Sequence, residues 1–256
     1  MSDGKVVAAV DSSVAGNPVL VTARALARVL GARVEAIHVL ADDDAPHDAA
    51  AAVGVPLRVV RGPVVDRLAE VGRDPDTVAM VIGARSTPAS PRALGSTALA
   101  VVTSCTKPVV VVPPVGRIAP ALSRVLVPLE GTVSTSLAPQ SLIELGQNSS
   151  IEVVALHVDE DGSEGDEEFL RRYCPSGIGF VRLERRSGRR EELVPQVADE
   201  LGCDLIALGW VQELAPGRAQ VVRAALERSP LPIMLIPVRL EAGGEKPWAA
   251  SVGGDA

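Results

Sequence analysis

The chain has 256 residues, 47% of them hydrophobic and 22% charged, and carries a formal net charge of −7. That length exceeds one ordinary domain of ~100–200 residues, and the apolar content can build a packed core, which excludes a chain disordered as a whole. The acidic balance and 2% aromatic content argue against a nucleic-acid surface, no apolar run approaches the ~20 residues of a membrane helix, and the opening MSDGKVVAAVD lacks a secretory-signal pattern, so a cytoplasmic protein without a membrane partner is expected.

Strands and helices are expected to alternate along the chain. Residues 5–10 form a continuous apolar run, the mark of a strand covered on both faces, and close on Asp11. Residues 18–30 then place Leu20, Ala23, Leu26, Ala27 and Leu30 on one helical stripe, stopped by Gly31. Strands follow at 33–40, 57–61, 78–83 and 108–112, with helices at 63–71 and 96–104. Further on, strands are expected at 125–129, 151–158, 179–185, 205–209 and 233–238, and helices at 136–145, 165–173, 191–201 and 218–228.

The second series repeats the first. KVVAAVD and RVLVPLE set Asp11 opposite Glu130 at an offset of 119, and AIHV matches ALHV at the same offset. VAMVIG matches DLIALG at 126, and PVVVVP matches PIMLIP at 124. Four colinear matches indicate a duplication. The expected organisation is residues 1–116 as one unit, 121–240 as a second, and a Gly/Ala-rich tail at 241–256. Each unit is an α/β fold, a five-stranded parallel sheet with helices on both faces and right-handed crossovers. Charge divides unevenly: residues 1–118 hold 12 Lys and Arg against 11 Asp and Glu, residues 119–256 hold 13 against 21.

Open parallel sheets take ligands beyond the carboxyl ends of their strands. Asp11-Ser12-Ser13, His38-Val39 and Gly83 fall at such ends, and Gly95-Ser96-Thr97 opens a helix. A Gly-Ser-Thr step offers free amides, two hydroxyls and the positive dipole end to a phosphate, with Arg85 and Arg92 nearby; taken alone, Ser or Thr at a helix start is mostly a plain cap. His38 and His157 stand at equivalent strand ends, where a hydrogen-bonded packing role is favoured over a metal. Cys105 and Cys203 read as core thiols, and three widely spaced cysteines make neither a disulfide framework nor a zinc site.

At VVAAVDSS, EAIHV and VIGARSTPASPRALGSTALAVVTSCTKPVVVVPP the chain resembles the universal stress protein family, in its tandem two-domain, Rossmann-like form. The resemblance spans about residues 5–238, once per unit. It implies an adenine nucleotide, ATP with Mg among the options, held as a stress-response signal by the first unit without rapid turnover. Val10, Asp11 and Val39 would flank the nucleoside; Gly83, Arg85, Ser86, Gly95, Ser96 and Thr97 would surround the phosphates. The family loop G-2x-G-9x-G-[ST] is altered: Ser86 stands for the middle glycine, and residues 87–94 make the second spacer eight long. In the second unit Ala219 and Gln220 stand where Gly95 and Ser96 do, and Trp210 could fill the crevice, so that site reads as degenerate. The family also implies pairing through the last strands, here between the two units, and leaves a homodimer open. Two other functions compete: a nucleotide-free interaction scaffold with both crevices closed, and a slow ATPase or adenylyl-transfer enzyme.

Overall fold

The computed structural model describes residues 4–11, 16–40, 54–84, 94–129, 140, 142–144, 146, 149–158, 165–175, 179–212 and 219–238. The first half supplies β1 (Lys5–Ala9), α1 (Gly16–Leu30), β2 (Arg33–Leu40), β3 (Leu57–Arg61), α2 (Val64–Arg73), β4 (Thr77–Gly83), α3 (Ser96–Ser104) and β5 (Val109–Val112). The second supplies β6 (Arg124–Pro128), β7 (Glu152–Val158), α4 (Asp166–Tyr173), β8 (Arg182–Arg186), α5 (Arg190–Glu200), β9 (Leu205–Trp210), α6 (Gln220–Arg228) and β10 (Ile233–Pro237). Residues 140, 142–144 and 146 are also helical.

The strand order is β3-β2-β1-β4-β5-β10-β9-β6-β7-β8. Within each half every pairing is parallel. The halves meet at one antiparallel pair, in which Ile233, Met234 and Leu235 lie opposite Val111, Val110 and Val109. The two five-stranded parallel arrays expected from the sequence therefore share one sheet. Because the seam reverses direction, the carboxyl ends of the first half's strands lie along one rim and those of the second half along the other.

Side chains alternate between the two faces of this sheet, as strand geometry requires. Val6, Ala8, Val81, Val110, Met234 and Ile236 pack with α1 on one face. Val7, Met80, Ile82, Val111, Ile233 and Leu235 pack with α2, α3, α5 and α6 on the other. The two clusters run across the seam without a break, so the Val-rich β5 and Ile-rich β10 each cover what would otherwise be an aggregation-prone edge.

Helix ends follow from local chemistry. α1 stops where Gly31 takes φ +60° and Ala32 N returns to Ala27 O at 2.9 Å. α5 stops in the same way at Gly202, φ +65°, with Cys203 N on Ala198 O at 2.8 Å. This glycine-stopped turn satisfies carbonyls that the helix leaves orphaned. α5 also holds Pro195, buried, in its interior. β8 starts at Arg182, later than the expected 179, because Gly179 sits in a turn with φ +78°.

The amino-terminal rim of the first half is tied by ions. Lys5, only 5% exposed, puts Nζ 2.7 Å from Asp74 Oδ2 and 3.8 Å from Glu35 Oε2. The Lys5 hydrogen bond, seconded by the Asp76 amide, holds the Asp74 carboxyl below its ordinary value of 3.8. A depressed acid contributes stability that is present above the unfolded pKa and lost as pH falls through the folded one. The stability advantage of wild type over Asp74→Asn should accordingly hold from neutrality down to about pH 4 and shrink below it; urea midpoints between pH 2 and 6 measure this. A constant difference across that range would show that the pair does not form.

All three cysteines are buried, and none is in a disulfide. Burial pushes the Cys105 thiol up and raises Cys203 to about 11. Thiolate, the reactive form, is then scarce at neutral pH. Ellman's reagent should label no cysteine in the native protein at pH 7.5 and three after denaturation. Rapid native labelling of even one would contradict the packing around these side chains.

Candidate functional site

The strand order 3-2-1-4-5 puts the switch point of the first half between β1 and β4, where helices leave the sheet on opposite faces. A crevice at that point is where open α/β sheets take ligands. Val10 lies buried one residue beyond β1 and Asp11 is exposed next to it; Val39, in β2, is half-buried. Gly83 ends β4, paired with Val112, and is half-buried.

The chain leaves β4 and returns to it through a narrow neck. Ala84 N donates to Val112 O at 2.8 Å, and Gly95 N donates to Ala84 O at 2.9 Å. Leu94, buried at the neck, packs into the core beside Ala84 and Ala98. These contacts set the amino terminus of α3 directly beside the end of β4. Gly95, Ser96 and Thr97 are thus brought to Gly83. Arg85 and Ser86, and Arg92 with them, lie outside the described residues.

Gly95 holds φ −66° and ψ 159°, extended values open to any residue, so the position does not use the left-handed freedom of glycine. Glycine has no side chain to cap α3, and the first turn of α3 has no acidic residue. The first intrahelical bond runs from Leu99 N to Gly95 O at 2.9 Å, leaving the amides of Ser96, Thr97 and Ala98 at an open helix end. Ser96 and Thr97 are exposed, and among the described residues their hydroxyls have no hydrogen-bond partner. The plain capping role weighed for this step is not what the two hydroxyls do. By contrast, α4 begins with Asp166, Glu167 and Glu168, and α5 with Glu191 and Glu192, acids that compensate the dipole.

His38, 8% exposed, brings Nδ1 within 2.9 Å of Val10 O. The packing role expected for this histidine is therefore a specific bond between the ends of β2 and β1. Sequence reasoning missed Ala84, whose carbonyl closes the neck; a main-chain acceptor has no side-chain signature.

Residues 41–113, from the end of β2 through β5, match a known family model. The match is to the universal stress protein family. No match was found among curated proteins. Among solved structures, a universal stress protein from Archaeoglobus fulgidus DSM 4304 shares the fold, with a TM-score of 0.69 at 16% identity over 93% of this chain and 97% of that one. A functionally unknown protein from Pseudomonas aeruginosa PAO1 gives 0.64 at 14% identity, over 91% and 92%. Both alignments extend across the two halves.

The second half is built alike at its strand ends but carries different residues beyond them. His157 Nδ1 lies 3.4 Å from Leu129 O, repeating the His38 arrangement at the offset of 119. The His157 ring stands 4.0 Å from Phe169, which is fully buried, and Phe169 stands 4.9 Å from Tyr173. Arg185 lies 5.5 Å over Phe169 and donates to Asp166 at 2.6 Å. Helix α4 thus brings aromatic bulk against the end of β7. Trp210 extends β9 by one residue and is 3% exposed, its indole in the core at the position that Ala84 holds in the first half. The α6 cap is Ala219 in the left-handed region, φ 49°, where the first half has extended Gly95. Gln212, also left-handed at φ 58°, reaches into the first half and donates to Cys105 O at 2.7 Å. Glu130 and the tail 241–256 lie outside the described residues.

No helix among the described residues is long and apolar enough to cross a membrane.

Proposed function

We propose that the first half binds an adenine nucleotide at the switch point between β1 and β4, as a cytoplasmic stress-response protein that reads the nucleotide rather than turning it over. One observation carries this reading. The Gly95–Ala84 neck presents an uncapped, acid-free helix terminus, with two exposed and unengaged hydroxyls, beside the ends of β1 and β4. Amides, hydroxyls and the dipole end together favour a phosphate. Asp11, at the end of β1 next to Val10, stands where it can accept a ribose or base donor. The family match over residues 41–113, which includes this neck, supports the same site.

No described side chains at the crevice form a base–nucleophile pair, which is why signalling is favoured over hydrolysis or adenylyl transfer. The second half reads as a scaffold without nucleotide: the cap of its α6 is Ala219, and Gln220 and Val221 stand where the first half has Ser96 and Thr97. At most one nucleotide per chain is expected.

Titration calorimetry with ATP, ADP, AMP and cyclic AMP, with and without Mg, tests the proposal together with denaturing mass spectrometry of the purified chain. Heat of binding or a co-purified adenine nucleotide, saturating at one per chain, is the expected result. Neither heat nor a retained nucleotide would leave the scaffold function as the better account. ADP or pyrophosphate release above a buffer blank would point instead to the enzyme.

A further inference from the structure

We propose that His38 is a positioning residue of this site, a role that rests on the nucleotide reading above. In a regular parallel ladder the carbonyl of Val10 would accept the next rung from the amide of Val39. The paired register of β1 and β2 instead closes at Ala9 and Ile37. Val10 N still donates to Ile37 O at 2.9 Å, but Val10 O lies 2.9 Å from His38 Nδ1. A carbonyl can only accept, so Nδ1 carries the hydrogen and the imidazole takes the place of the rung.

Two consequences follow at the crevice. The peptide joining Val10 to Asp11 is held by a buried side chain, which fixes the direction in which the Asp11 carboxylate leaves the sheet. The amide of Val39, which would have supplied that rung, makes no bond to Val10 O among the described residues and stays beside the end of β1. The second half repeats the arrangement with His157 and Leu129 O at 3.4 Å, so the device belongs to the duplicated unit, and only the first half combines it with Ser96 and Thr97. His38 touches no ligand in this scheme; it acts through Val10, Asp11 and Val39.

The test separates the nucleoside end of the site from the phosphate end. His38→Phe keeps an aromatic ring without a donor; His38→Asn restores a donor the same number of bonds from the backbone. AMP affinity should fall about tenfold in His38→Phe and recover to within about threefold of wild type in His38→Asn, in keeping with one buried hydrogen bond. Inorganic tripolyphosphate, which lacks the nucleoside, should bind all three proteins alike. Equal losses for AMP and tripolyphosphate, or unchanged AMP affinity in His38→Phe, would overturn the positioning role. An independent readout needs no nucleotide: the imidazole nitrogen spectrum of the ligand-free wild-type chain should show His38 protonated at Nδ1. The other tautomer would refute the His38 assignment whatever the protein binds, whereas a wild type that binds no nucleotide but shows the Nδ1 tautomer would refute the function and keep the bond.

Discussion

Ser96→Asp should abolish most nucleotide binding while leaving the fold as stable as wild type or slightly more so. Ser96 opens α3, is exposed, and donates to nothing among the described residues, so its replacement costs no internal bond. An acid in the first turn is favourable to the helix itself, by about 0.3–1 kcal/mol. A carboxylate facing a phosphate at ~4 Å instead meets a repulsion of about 4 kcal/mol at the effective dielectric of a protein surface. After partial screening, affinity for ATP should fall on the order of a hundredfold. The pairing of a steady melting temperature with lost affinity is the useful signature, because misfolding would move both together. Affinity that survives Ser96→Asp would place the phosphates elsewhere.

The second large effect is expected at the seam. Val110 is fully buried in β5 and faces Met234 of β10 across the antiparallel pair. Val110→Asp would bury an unpaired charge in the layer shared with α1, at a cost of roughly 4 kcal/mol or more. Against a total of about 5–15 kcal/mol, that is a large share of the stability. Val115→Asp, at a position 78% exposed, should change stability by less than about 0.5 kcal/mol and serves as the control. Urea unfolding followed by circular dichroism reads both. Near-equal midpoints for the two variants would mean that β5 and β10 do not join the halves.

Much of this molecule can be read from residue order alone. Continuous apolar runs located the inner strands β1, β4, β5, β6, β9 and β10, since burial on both faces leaves a signal that alternating strands lack, whereas the edge strands β3 (LRVVR) and β8 (RLERR) carry no such run. The repeats KVVAAVD and RVLVPLE, and PVVVVP and PIMLIP, exposed the duplication without any structure. Position was harder than existence. The strand expected at 179 starts at Arg182 because Gly179 lies in a turn, and nothing in the residue types distinguishes those two options. Ala219 and Gln212 hold left-handed backbone imposed by their surroundings, which no propensity would suggest for alanine or glutamine.

The site was legible only in part. Asp11, Gly83 and Gly95 could be named because strand ends and glycines mark where a crevice opens. The neck that sets Gly95 beside Gly83 is made of main-chain bonds, Gly95 to Ala84 and Ala84 to Val112, and these have no letter in the sequence. The two histidines stood out at the offset of 119, yet their acceptors, Val10 O and Leu129 O, are likewise backbone atoms.

The reversal at β5 and β10 has a further consequence for how this molecule meets its surroundings. A docking protein that grips the mouth of the first crevice stands over the roots of the opposite half's strands, with the second mouth turned away from it. The height of the sheet, about 3.3 Å for every residue of strand, separates the two openings. Coupling between them would run lengthwise, along the strands and the helices packed on them.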